Sequence, residues 1–191
     1  VAKHPELRCE LVLTDALVDL VDDNIDLALR LTRTPPQDAV ARKLVLMKRV
    51  ICGTPAYFAA HGEPRTPYDL AHHPCFSYML PEDGRSWRLV DRAGDEISIP
   101  VASKFDFNNV DCILDAVLAG HGLAILPTYL CGAELARGRL RSVLGDWAPV
   151  SGLGRHLYAC YTPTPARVPK VRVFLAELEA TFHPAPPWEE A

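Results

Sequence analysis

The sequence predicts an α/β fold, and three observations carry the prediction. Short apolar runs, such as Phe76 to Met79 and Leu123-Ala124-Ile125-Leu126, alternate with helix-patterned segments along the chain. Asn108 to Gly122 places Val110, Ile113, Leu114, Val117 and Leu118 at helical spacing, one full apolar stripe. Proline gathers at joints, as in Thr34-Pro35-Pro36 and Thr162-Pro163-Thr164-Pro165, and leaves most segments free.

Residues 8–13 read as a first strand. Thr14-Asp15 then caps a helix whose apolar face is Leu17, Leu20 and Val21, with Asp19, Asp22 and Asp23 on the wet face and Asn24 at its end. Ile25 to Leu31 is a short buried strand, so the opening predicts a β-α-β unit with parallel strands and a right-handed crossover. Residues 32–40 are a polar loop, and residues 41–52 one long strand. Thr54 as N-cap, Pro55 at the first helical position and Gly62 past the end define a short helix. Residues 66–71 repeat the cap-then-proline grammar. A strand from Phe76 to Met79 follows, then a hairpin, Trp87 to Val90 and Glu96 to Val101, around Asp91-Arg92-Ala93-Gly94-Asp95. After the Asn108 helix come a strand closed by Pro127 and a helix through Leu130 and Leu135. Strands at 139–144 and 157–162 lead to a last helix from Val168 to Phe182, with Val171, Phe174, Leu175, Leu178 and Phe182 on one face. The tail, His183-Pro184-Ala185-Pro186-Pro187 and onward, is expected to be loosely held.

Composition narrows the function. The 191 residues are 49% apolar and 23% charged, ordinary for a globular protein of one domain or two small ones. The net charge of −4 argues against direct nucleic-acid binding, which needs a basic face. No apolar run is long enough to span a membrane, and no secretory signal opens the chain. The chain begins with Val1 rather than Met, as a fragment or a processed product does. The six cysteines, Cys9, Cys52, Cys75, Cys112, Cys131 and Cys160, have wide spacings and no CxxC. They read as small core residues; a redox-sensing pair is the other reading.

No P-loop, GxGxxG, HExxH or GxSxG is present, and the histidines form no metal-ligand spacing. His72-His73 reads as a surface pair. Ser77, four residues after His73, and Ser103 carry no motif of a nucleophilic serine, though triads assemble in space. No catalytic residue, metal or cofactor is expected. Helix starts are better candidates, since their unpaired N–H groups suit carboxylates beyond the ends of parallel strands. Three are visible: Thr14-Asp15, Thr54 and Asn108-Asn109. Each is otherwise a plain cap, convergence of two on one cleft favours binding, and Asp15 would repel an anion.

Five motifs then stand in order: Asp26-Leu27-Ala28-Leu29-Arg30, Thr54-Pro55-Ala56-Tyr57-Phe58, Thr66-Pro67-Tyr68-Asp69-Leu70, Phe107-Asn108-Asn109, and Ala119-Gly120-His121-Gly122-Leu123-Ala124-Ile125-Leu126-Pro127. Together they resemble the effector-binding domain of LysR-type transcriptional regulators, over residues 1 to about 182. The resemblance implies two Rossmann-like subdomains joined by two crossover strands, similar to type 2 periplasmic binding proteins. Residues 1–52 and 160–182 would form subdomain I, residues 53–159 subdomain II, and 183–191 a flexible tail; Arg49 to Thr54 and Leu157 to Thr162 would cross over. It implies a small-molecule effector in the cleft, near Thr14, Asp15, Thr32, Ser77, Tyr78, Phe107, Asn108 and Asn109. It further implies a cytoplasmic homodimer or homotetramer that reaches DNA through a winged helix-turn-helix not contained in this sequence. The family domain's first strand and most of its first helix are also expected to lie before Val1. A periplasmic-type solute-binding protein for a small polar or anionic ligand is the alternative, and an enzyme on the same bilobal fold the third reading.

Overall fold

A computed structural model describes residues 3–14, 18–79, 86–163 and 168–189. In chain order the elements begin with β1 (Ala28–Thr32), β2 (Val40–Leu46), β3 (Arg49–Gly53), α1 (Pro55–His61) and a 3-10 helix, Pro67–His72. Next come β4 (Pro74–Tyr78), β5 (Ser86–Val90), β6 (Glu96–Pro100), β7 (Ala102–Phe107), α2 (Val110–Leu118), β8 (Leu123–Pro127) and α3 (Thr128–Ala136). The chain ends with β9 (Arg141–Val143), β10 (Ala148–Val150), β11 (His156–Tyr161), α4 (Val168–Phe182) and a 3-10 turn, Pro187–Glu189.

The strands form three sheets. The first has the order β1-β11-β2 and is wholly antiparallel. The second has the order β7-β4-β8-β3-β9, with β4 parallel to β7 and β8, and β3 antiparallel to β8 and β9. The third is an antiparallel β10-β5-β6 sheet.

Alternation along the strands builds two cores on the second sheet. Ile51, Cys75 and Leu123 join one cluster with Tyr57, Phe58, Trp87, Leu89 and Ile99, beneath α1 and the hairpin. Their neighbours Cys52, Phe76 and Ala124 join the other cluster with Ile113, Val117 and Cys131, beneath α2 and α3. Successive strand side chains point to opposite faces, so each strand feeds both layers. A third cluster lies between the first sheet and α4, around Leu44, Ala159, Val171 and Leu175.

The helix grammar is realised as expected. Thr54 Oγ1 accepts from the Tyr57 N–H (3.2 Å), Pro55 opens α1, and Gly62 at φ +81° returns its N–H to Phe58 O (2.9 Å). Asn109 Oδ1 accepts from the N–H groups of Asp111 (2.8 Å) and Cys112 (3.3 Å) at the start of α2. At residues 66–69 the Asp69 carboxylate accepts from the Thr66 and Arg65 N–H groups, and the turn tightens into a 3-10 helix.

Several expectations are corrected. Residues 8–13 make no ladder among the described residues, and Leu11, Val12 and Leu13 are exposed. A strand needs a neighbour to accept its hydrogen bonds, whatever its residue types. Residues 18–24 are turns, not helix: Asp19 Oδ1 takes the N–H groups of Val21 (2.7 Å) and Asp22 (2.9 Å), and Asn24 sits at φ +55°. An aspartate that bonds its own backbone competes with helix. Asp15 and Leu17 lie outside the described residues. Because residues 8–13 join no ladder and β1 is an edge strand paired with β11 antiparallel, the expected β-α-β unit does not form among the described residues. The single long strand at 41–52 is two strands in two sheets, broken at Met47-Lys48. The expected joints at 52/53 and 159/160 fall inside β3 and β11, each of which stays in one sheet; the chain passes between sheets at 47–48 and 151–155. The tail, through Glu189, is docked on α3 rather than loose.

Candidate functional site

Register decides which sequence candidates meet. In the parallel pair β4 and β7, Tyr78 stands opposite Phe107, and the Met79 N–H bonds Phe107 O (2.7 Å) just past the strand ends. Asn108 and Asn109 follow at once and start α2. Ser77, one residue back, accepts from Trp87 Nε1 (3.1 Å), which ties β4 to the third sheet. Ser77, Tyr78, Phe107, Asn108 and Asn109 therefore share the carboxyl edge of the parallel strands, where open α/β sheets bind ligands.

Thr54 does not join them. Cys52 pairs with Ala124 and Arg49 with Pro127, so β3 runs against β8 and delivers Thr54 to the opposite edge. The first-turn carboxylate of Asp111 and the nearby Asp106, held by Ser103 Oγ (2.7 Å), also make the Asn109 edge a weak receptor for an anion.

Thr32 stands at the end of β1, in the first sheet. It pairs with His156, which also pairs with Leu46 of β2, so all three stand at the edge from which the chain leaves for β3. Thr32 Oγ1 donates to Thr34 O (3.0 Å). Burial, with Lys43 and Arg155 nearby, holds the His156 imidazole below its usual 6.5. Thr14 is exposed and belongs to no helix or strand.

The two crossing segments are bonded to each other. Met47 N–H donates to Arg155 O (2.8 Å), and Arg49 Nη1 to Gly154 O (2.9 Å). Gly154, at φ +82°, lies flush on β1: a Cβ there would come 2.5 Å from Thr32 C. Sequence reasoning placed Arg49 at the start of a crossover but missed Lys48 and Gly154, because only the pairing shows where the chain changes sheets. Two hollows lie elsewhere. One of about 240 Å³ sits between residues 3–9 and α4; one of about 80 Å³ is lined by Asp19, Arg30 and Asp38.

His73 is buried and bonded through Nδ1 to Tyr57 Oη (2.9 Å), so His72-His73 is not a surface pair. Cys52, Cys75, Cys131 and Cys160 are buried, and Cys9 and Cys112 exposed. The Cys52 and Cys131 thiols hydrogen-bond each other, and that bond, with burial, pushes the Cys52 thiol up. Burial pushes Cys75 up to about 12. Among the described residues no group of three His, Cys, Asp or Glu side chains is placed to hold a metal ion, and no helix is long and apolar enough to cross a membrane.

The model of the LysR substrate binding domain matches residues 1–183. The chain belongs to the LysR substrate-binding domain family. This LysR domain is 34% identical over 179 residues to the probable HTH-type transcriptional regulator LtrA of Klebsiella pneumoniae, covering 92% of the chain and 57% of that protein. It superposes on CrgA, a LysR-type transcriptional regulator from Neisseria meningitidis, with a TM-score of 0.81 at 24% identity, over 95% of the chain and 60% of CrgA. AphB, the Vibrio cholerae virulence activator, gives 0.80 at 23% identity, over 94% and 59%. The LysR domain thus has the two-subdomain α/β fold similar to periplasmic binding proteins, and it spans just over half the length of LtrA.

Proposed function

We propose that this chain is the sensing half of a cytoplasmic transcriptional regulator, one that takes a small molecule between its two sheets and passes the result to a DNA-binding part. What supports the reading is the gathering of Tyr78, Phe107 and Asn109 at the carboxyl edge of the parallel strands, and of Thr32 and His156 at the edge of the first sheet from which the chain crosses, with the two crossing segments bonded to each other. A guest held by both edges binds one arrangement of the lobes better than others, which is the requirement for a switch. The module works as a homodimer or homotetramer, reaches DNA through a winged helix-turn-helix elsewhere in the whole protein, and performs no catalysis. A periplasmic solute-binding role is less well supported, because the relatives are named as transcriptional regulators.

The test is a thermal-shift screen of small polar metabolites on the chain and three variants. A ligand at a hundred times its Kd stabilises by about 2.7 kcal/mol, several degrees here. Asn109→Ser keeps a cap but shortens the side chain, and Tyr78→Phe removes one hydroxyl; both should lose much of the shift at unchanged basal Tm. Thr54→Ala, on the far edge, should lower basal Tm and keep the shift. A ligand whose shift survives in Asn109→Ser and Tyr78→Phe alike would place the site elsewhere and end this reading.

A further inference from the structure

The chain does not leave the molecule after α4. His183 N–H returns to Glu179 O (3.0 Å), and Pro187–Glu189 form one turn against α3. Three attachments hold this segment, each to a different body. Trp188 meets Phe182, at the end of α4 over the first sheet, edge-to-face at 5.6 Å. It also meets Tyr129 of α3, under the second sheet, at 6.1 Å, and its carbonyl oxygen sits 3.0 Å from where a Gly132 side chain would begin. The Glu189 carboxylate accepts from Thr128 Oγ1 (2.7 Å) and pairs with Lys48 Nζ (2.5 Å). Lys48 lies in the crossover, and its own carbonyl accepts the Thr128 N–H (3.0 Å).

We propose that residues 183–189 are a strap that sets the resting angle between the two lobes by fastening the Lys48 crossover to both. A segment bound to one lobe would stabilise that lobe alone. This one touches both lobes and the joint, so a rotation about the crossover must stretch either the Trp188–Tyr129 contact or the Glu189–Lys48 pair. The Glu189 carboxylate is 17% exposed and is fixed by the Thr128 hydroxyl as well as by Lys48, whose own side chain is 57% exposed. The resting angle is the aperture a guest would meet, and in that respect the strap rests on the sensor reading above.

Amide hydrogen exchange on the 191-residue chain without ligand tests it, so the result stands apart from whether any effector binds. The reporters are Thr128 N–H, bonded to Lys48 O, and Met47 N–H, bonded across the joint to Arg155 O rather than to a strap residue. Trp188→Ala and Glu189→Gln should each speed exchange at both by roughly tenfold or more, while Ala124 in β8 and Ala159 in β11 keep their protection. Acceleration confined to Thr128 would make the segment a cap for α3 and overturn the strap. If Trp188→Ala loosens both sheets alike, the volume-conserving Glu189→Gln decides: faster exchange at Met47 supports the strap, and unchanged exchange there overturns it.

Discussion

Tyr57 and His73 show how one buried contact sets a response to acid. The Tyr57 ring stacks on His61 at 4.4 Å while its hydroxyl meets His73 Nδ1. Burial, then the neighbouring His61, holds the His73 imidazole below its usual 6.5. With the folded-state value depressed, the unfolded chain takes the proton first as pH falls. Stability is therefore full above about 6.5 and declines below it, until the folded-state value is reached. His156 shifts the same way, so both contribute. Urea unfolding at pH 7.5 and 5.5 should show a lower midpoint at 5.5, and His73→Gln should shrink that difference. The carboxylates of Asp69 and Glu189, held below their usual values, act in a more acid range and leave this interval to the histidines.

At the scale of elements, glycine separates a conformational cost from a steric one. A Cβ on Gly122, at the start of β8, would lie 2.3 Å from the carbonyl oxygen of Pro74, and backbone cannot step aside as a side-chain tip can. Gly62 sits at φ +81° in open space. Gly122→Ala should cost about 3 kcal/mol in urea unfolding, and Gly62→Ala about 1–2 kcal/mol; equal costs would show that β8 shifts to make room. The same contrast between local and remote causes explains what the sequence made legible. The caps of α1 and α2 and the extent of α4 are written within a few residues, and each was readable. The fate of residues 8–13, the break at Met47-Lys48 and the short strands β7 and β10 depend on partners far along the chain. The binding edge divides likewise. Asn109 announces itself as a cap, whereas its meeting with Tyr78, and the exclusion of Thr54, follow from strand direction, which no local pattern encodes.

Over the whole molecule, the cores do not mix. The two clusters on the second sheet draw only on residues from Val50 to Trp147, and the cluster under α4 only on residues outside that stretch. A fragment of residues 49–150 should therefore unfold cooperatively by far-UV circular dichroism, although Tyr129 loses its contact with Trp188; a broad, non-cooperative melt would show that the outer sheet is needed to hold it. Strand order carries this into biosynthesis. β1 and β2 leave the ribosome early but share no hydrogen bonds; β11 is the strand between them, made more than half the chain later. Until it emerges, the nascent chain carries a finished inner body flanked by two parted strands with open backbone edges, the surface that chaperones hold and that aggregation seeks. Insertion of β11 is thus the last bolt of the assembly, and a message truncated before His156 would yield a protein with half its scaffold permanently unzipped.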